Sequence, residues 1–207
     1  MASSNQYTEI EIKLHVSDLS VIQHSLQAAG ATMTTPRVFE RNLRYDLTDR
    51  SLSSTGQVLR LRQDEGIRLT YKSDKKTSAT KRGIVERQEI EVSLSDFTAM
   101  DRILQMLGYI PYMSYEKYRT TYVLDGAEIV LDELPYGFFV EIEASSGDEI
   151  ERLVSKLGMT GYPRFALSYS SIFEQLKAIY QLDFDDLTFE NFDGLTVSLK
   201  HIAGYSR

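Results

Sequence analysis

Nearly every extended stretch of this chain alternates a charged residue with an apolar one. Near the N-terminus Glu9, Glu11, Lys13 and His15 fall on one side of the period, and Ile10, Ile12, Leu14 and Val16 on the other. A period of two sends successive side chains to opposite faces of a strand, so such a segment buries one face only. Eight segments read this way, at roughly 7–16, 37–46, 56–64, 67–73, 84–93, 114–124, 127–132 and 137–145. Gly66 and Asp125-Gly126 sit between neighbouring segments, and an Asp-Gly pair at that place is a hairpin turn signal. Strands joined by hairpins form an antiparallel sheet.

Between the strands the period changes to that of a helix. Leu19, Ile22, Leu26 and Ala29 follow Asp18 and end at Gly30. Phe97, Met100, Leu104 and Leu107 follow Asp96 and end at Gly108. Ile150, Leu153, Val154 and Leu157 follow Asp148 and end at Gly158. A fourth helical pattern runs through Ile172, Phe173, Leu176, Ile179 and Tyr180. Each of the first three helices is preceded by the same tripeptide, Glu-Ile-Glu, at 9–11, 89–91 and 141–143. The unequal offsets between these copies exclude a solenoid. The fold class is α+β, with one antiparallel sheet flanked by helices.

The charged face is unusual in what it holds. Arg60 and Arg62 lie together on the third segment and Lys72 on the fourth, with Arg68 on the same face. Arg87, Glu89 and Glu91 share the fifth, Lys117 and Arg119 the sixth, Asp132 the seventh, and Glu141 and Glu143 the eighth. A solvated sheet face mixes Thr, Ser and Gln with its charges, whereas this one concentrates Glu, Arg and Lys. Two arrangements are open: a sheet with its charged face in water, or an eight-stranded β-barrel with the charges in its lumen and helices outside. An eight-stranded barrel has room inside for side chains or one small ligand. Seven cations (Lys13, Arg60, Arg62, Lys72, Arg87, Lys117 and Arg119) against seven carboxylates (Glu9, Glu11, Glu89, Glu91, Asp132, Glu141 and Glu143) would give a balanced lumen. With no Cys and three scattered His, thiolate chemistry and sulfur or imidazole metal centres are excluded. Oxygen ligands alone select a hard cation such as Mg²⁺, Mn²⁺ or Ca²⁺. The net charge of −7 argues against bulk binding of nucleic acid or an anionic membrane surface. The polar N-terminus and the lack of a long apolar run point to a cytoplasmic protein.

The motifs resemble those of the CYTH superfamily, or triphosphate tunnel metalloenzymes, which includes class IV adenylate cyclases and thiamine, inorganic and RNA triphosphatases. The resemblance starts at Glu9-x-Glu11-x-Lys13. It continues through Tyr45-Asp46, Gly56-x-x-Leu59-Arg60-Leu61-Arg62, Leu69-Thr70-Tyr71-Lys72, Arg87-x-Glu89-x-Glu91, Glu116-Lys117-x-Arg119, Leu131-Asp132 and Phe139-Val140-Glu141-Ile142-Glu143, and closes at Ser168-Tyr169. It implies an eight-stranded antiparallel tunnel. It also implies that Lys13, Arg60, Arg62, Lys72, Arg87, Lys117 and Arg119 hold a triphosphate. Glu9, Glu11, Asp132, Glu141 and Glu143 would hold one or two Mg²⁺ or Mn²⁺ ions, and Arg68, Glu89, Glu91 and Arg164 are further candidates. Glu9, Glu11 and Lys13 are the candidate catalytic residues. Many members have a basic residue just before Ser-Tyr, where this chain has Leu167 with Arg164 nearby. The His-Phe often found ahead of the first motif in bacterial cyclases is missing here.

Three functions follow from the resemblance: a metal-dependent triphosphatase acting on tripolyphosphate or a nucleoside or thiamine triphosphate, an adenylate cyclase, and a non-catalytic binder of polyphosphate or nucleotide. The tunnel domain is expected over 1–180. The basic stretch from Asp74 to Gly83 reads as a solvated loop or as a lid over the tunnel mouth. Residues 181–207 are too apolar for a disordered tail, and they are expected to pack on the barrel or against a second copy in a homodimer.

Overall fold

The computed structural model describes residues 8–74 and 83–202. The order is β1 (Thr8–Val16), α1 (Leu19–Ala28), β2 (Thr32–Asp46), α2 (Ser51–Ser54), β3 (Gln57–Gln63), β4 (Ile67–Asp74), β5 (Ile84–Leu94), α3 (Phe97–Met106), β6 (Ile110–Leu124), β7 (Ala127–Leu134), β8 (Gly137–Glu143), α4 (Gly147–Lys156), β9 (Arg164–Phe165) and α5 (Tyr169–Tyr180), with a 3₁₀ turn at Leu199–His201. The segment 75–82, read from sequence as a loop or lid, lies outside the described residues.

Hydrogen bonding runs in the order β5-β4-β3-β2-β6-β7-β8-β1. The order closes because β1 also pairs with β5, Thr8 opposite Gln88 through Ile12 opposite Ile84. Eight antiparallel strands therefore form a ring, and the short β9 takes over the edge of β1 at Lys13 and Leu14, beyond β5. This is the ring with outer helices that the alternation and the family resemblance implied, and it decides which face is inward. The charged face lines the lumen, and the apolar face looks out.

The outward apolar residues are covered by helices. Ile12, Leu14, Ile129, Leu131, Val140 and Ile142 pack under Ile22 and Leu26 of α1 and Ile150, Leu153 and Val154 of α4. Tyr45 and Leu61 pack under Leu104, Phe97 and Met100 of α3. The helices start where the sequence offers an acceptor for their free amides: Asp18 accepts from the Ser20 amide at 2.8 Å and Asp96 from the Ala99 amide at 2.9 Å. The third is capped by Ser146 and starts at Gly147, one residue before the Asp148 expected. Gly30 and Gly108 stop their helices with φ of 81° and 93°, a region open to residues without Cβ.

The third cluster is different in kind. Phe139 is two residues from Glu141 on one face of β8, and Met113 and Tyr115 share a face of β6 with Lys117, so all three look into the ring. They meet Phe165, Tyr169, Ile172, Phe173 and Leu176, and plug one end of the lumen. Residues 181–202 complete the plug. Phe184, Phe192, Leu199 and Ile202 join it, and Leu187 bonds beside β6, its amide donating to Ser114 O and its carbonyl accepting from the Glu116 amide, both at 2.9 Å. Residues 181–202 thus pack on the ring.

Two strands run further than their alternation suggested. β2 begins at Thr32 rather than 37, and β6 at Ile110 rather than 114, because prolines that cannot donate a ladder hydrogen bond are accommodated. Pro36 sits where the β2 register against β6 shifts, between Thr35 and Val38. The short α2 had no periodic signal.

Leu187 is fully buried, so Leu187→Ala is expected to cost about 2–5 kcal/mol in urea unfolding. A cost within the range of surface substitutions would contradict the packing of the C-terminal segment described above.

Candidate active site

The lumen contains a cavity of about 350 Å³ with a predominantly charged lining that also includes Tyr115, Tyr169, Ser168 and Ser170. Lys13, Arg44, Arg60, Arg62, Arg68, Lys72, Arg87, Lys117 and Arg119 supply its cations, and Glu9, Glu11, Glu89, Glu91, Glu128, Glu141 and Glu143 its carboxylates. Val58 and Val130 are its aliphatic members. The strand pleat puts these groups there: each lies an even number of residues from its inward neighbours on the same strand, as with Glu9, Glu11 and Lys13 or Lys117 and Arg119. Fourteen of the sixteen residues singled out from sequence therefore meet around one space.

Burying so many charges is tolerable because most of the cations find a counter-charge. Lys13, 5% exposed, bonds Glu141 at 2.8 Å. Lys72 bonds Glu9 at 2.6 Å and Glu89 at 2.9 Å. Arg119 bonds Glu141 at 2.7 Å and grips Asp132 with two bonds of 2.7 and 2.6 Å. These partners set the protonation states. Burial opposes the charge on Lys72, but Glu9, Glu11 and Glu89 outweigh it and raise the ammonium above its usual value. Burial would likewise raise the Glu141 carboxyl, yet Lys13 and Arg119 hold it well below the ordinary range.

Two expected residues stand elsewhere. Asp132, expected to bind metal, is fully buried behind the cavity wall. Besides its two bonds to Arg119, it accepts from Lys117 at 3.0 Å and from the Tyr169 hydroxyl at 2.8 Å. Four hydrogen bonds from protein donors engage its carboxylate, so it positions two lumen cations instead of facing the cavity. Arg164, the candidate replacement for the basic residue before Ser-Tyr, bonds Glu151 of α4 at 2.6 and 2.9 Å and does not line the cavity.

Sequence reasoning missed Glu40, Arg44 and Glu128. Glu40 is fully buried and lies 3.6 Å from Lys117 and 3.7 Å from Arg62. Burial would raise its carboxyl, but Lys117, Arg119 and Arg62 hold it far below the usual range. The signal was present, since Glu40, Asn42, Arg44 and Asp46 alternate on β2 as the other site residues do, although no repeated motif marks them.

The remaining carboxylates fit a hard divalent cation by chemistry and register. Glu143 on β8 lies directly opposite Glu11 on β1 and Glu128 on β7, so three carboxylates form a row across adjacent strands at one rim. None of the three has an ion-pair partner among the described residues, whereas like charges placed opposite each other repel. Burial, Glu9 and Glu128 push the Glu143 carboxyl up to about 8. An all-oxygen set of this kind suits Mg²⁺ or Mn²⁺. Among the described residues no three such groups already converge on one point, so the fit rests on donor type and register.

A model of the CYTH domain matches residues 7–160. The chain belongs to the CYTH domain family. A candidate adenylate cyclase of Methanocaldococcus jannaschii is 29% identical over 146 residues, 70% of this chain and 81% of that protein. The X-ray structure of a candidate adenylate cyclase from Vibrio parahaemolyticus has a TM-score of 0.67 at 19% identity, covering 82% of this chain and 98% of that one. The structure of an adenylyl cyclase candidate from Hippeastrum, described as having a dominant triphosphatase activity, has a TM-score of 0.58 at 20% identity, covering 81% of this chain and 95% of that one. These two structures share the CYTH fold with this chain.

Asp132→Asn would remove the carboxylate nearest both Lys117 and Arg119, leaving them Glu40 and, for Arg119, Glu141, and is expected to cost about 1–3 kcal/mol in chemical denaturation; wild-type stability would contradict the buttressing role. Glu143 gives a pH-dependent prediction. A carboxyl with a usual value of 4.5 that rises to about 8 on folding binds its proton more tightly in the folded chain. Stability is then complete below about pH 4.5 and falls as Glu143 is forced to ionise up to about pH 8. Glu143→Gln should raise the melting temperature of metal-free protein near the top of that window and leave it unchanged below it. No gain at the upper end would count against the crowded carboxylate row.

Proposed function

We propose that this CYTH chain is a divalent-metal-dependent triphosphatase that hydrolyses inorganic or organic triphosphates inside the ring. The observation that carries this reading is the cavity lining: nine cations and seven carboxylates around about 350 Å³, with Val58, Val130, Tyr115, Tyr169, Ser168 and Ser170 between them. Such a wall suits a polyanion with bound cations. The triphosphatase activity named for the Hippeastrum neighbour points the same way.

Phosphoryl transfer asks chiefly for positioning and for neutralisation of charge on the phosphate oxygens. Lys13, Arg60, Arg62, Lys72, Arg87, Lys117 and Arg119 would hold those oxygens, and no covalent nucleophile is needed. Glu11 and Glu143, joined by Glu128, would hold Mg²⁺ or Mn²⁺. When bound, the ion neutralises phosphate charge and polarises an attacking water. Glu9 has a separate role. Burial lifts its carboxyl above the usual range against the pull of Lys72. A phosphate that engages Lys72 frees Glu9 to accept a proton from water at its carboxylate oxygen.

Incubation with tripolyphosphate, ATP and thiamine triphosphate under Mg²⁺ or Mn²⁺ tests this reading. Orthophosphate release is the expected outcome. Cyclic AMP and pyrophosphate from ATP without orthophosphate would replace the hydrolase with a cyclase, and a raised melting temperature with no turnover would make the chain a binder. Glu11→Gln is expected to lower turnover on the order of 100-fold while leaving the melting temperature in place; wild-type turnover would remove Glu11 from the machinery.

A further inference from the structure

Among the lumen cations, Arg44 and Arg60 stand apart. Lys13, Arg62, Arg68, Lys72, Lys117 and Arg119 each have a carboxylate within 4.0 Å, whereas among the described residues neither Arg44 nor Arg60 does. These two are also direct cross-strand partners, Arg44 on β2 opposite Arg60 on β3, and both line the cavity. Like charges directly opposite destabilise a sheet, and burial makes the repulsion worse. The hydrogen bonds of Arg60 among the described residues go to neutral groups, the Tyr115 hydroxyl at 3.1 Å and the Thr70 hydroxyl at 3.3 Å, while Glu40 and Glu89 favour its charge without a direct ion pair. Arg44 is 8% exposed, donates to the Ser170 hydroxyl at 2.6 Å, and keeps its Nε buried without a partner.

Arg44 also stands where the lumen continues into a second cavity of about 310 Å³, with Lys72, Arg87, Ser168 and Ser170 shared between the two. The N-terminal turn of the twelve-residue α5 borders this junction through Ser168, Ser170 and Ser171. The positive end of a helix, a buried guanidinium with a donor to spare and a second guanidinium facing it together define a place for an oxyanion.

We propose that Arg44 is a substrate-binding residue that, with Arg60 opposite, grips an outer phosphate of the substrate at the end of the lumen where α5 begins. This rests on the reading of the lumen as a triphosphate site and assigns one end of the triphosphate to a residue outside the recurrent charged motifs. When the phosphate is present, the orphaned Nε of Arg44 gains an acceptor, and the phosphate charge offsets two guanidiniums carried at opposite register positions. The Ser170 hydroxyl aims the guanidinium.

The test is calorimetric titration of metal-free protein, in a chelator, with sodium tripolyphosphate and with sodium pyrophosphate. Arg44→Gln is expected to weaken tripolyphosphate binding by about tenfold or more, as the loss of a charge-assisted contact does. Pyrophosphate, short enough to sit on the other cations, should weaken much less, and Arg44→Lys should recover part of the loss. Ser170→Ala should melt as the wild type does and weaken tripolyphosphate in the same direction, which keeps the idea testable if Arg44→Gln fails to fold. Unchanged tripolyphosphate affinity in a folded Arg44→Gln, or in Ser170→Ala when Arg44→Gln does not fold, would overturn the assignment, as would equal losses for the two anions. A wild type that binds neither anion would instead overturn the triphosphate reading itself.

Discussion

Charges enclosed in a ring of strands must be matched, and the rest of this structure follows from that requirement. Removing an ion from water costs several kcal/mol, so a lumen lined with nine cations exists only because carboxylates are interleaved with them at the same period. Asp132 and Glu40 carry this furthest. Both are fully buried just behind the wall, and between them they hold Lys117, Arg119 and Arg62. The apolar partners of the same alternation face outward, which is why the helices sit outside the ring and the largest apolar clusters lie under them.

Pairing also explains how such a site can be stable when empty and receptive when filled. The cations are preorganised by carboxylates that a phosphate can replace as partners, so binding exchanges one set of charge-assisted hydrogen bonds for another. Where the pairing is incomplete, the mismatch is itself informative. Glu11, Glu128 and Glu143 crowd negative charge at one rim, and Arg44 and Arg60 crowd positive charge toward the plugged end. Under the proposed function, a divalent cation would relieve the first and a phosphate group the second.

Much of this was legible in the sequence. The period of two fixed which residues share a face, and the three Glu-Ile-Glu copies with the Arg60-x-Arg62 and Lys117-x-Arg119 pairs marked strongly charged strands. What alternation could not supply was the depth of each group. Asp132 lies in a motif beside the site residues, yet the Tyr169 hydroxyl and two cations bind it behind the wall. Arg164 is near Ser168 in sequence but turns to Glu151 on α4, a contact between elements that share no local pattern. Glu40 and Arg44 were hidden for the opposite reason: they occur once each, between Phe39 and Tyr45, in a strand whose regularity is broken at Pro36.

The central claim is that the paired lumen cations form a receptor for a linear polyphosphate. The most direct measurement is a crystal structure of the protein with tripolyphosphate bound in the absence of metal. The account predicts phosphate oxygens inside the ring on Lys13, Arg60, Lys72, Arg87, Lys117 and Arg119, with the carboxylate contacts of Lys13 and Lys72 loosened. Tripolyphosphate on the outer surface, or a lumen whose ion pairs are unchanged at saturating ligand, would contradict it.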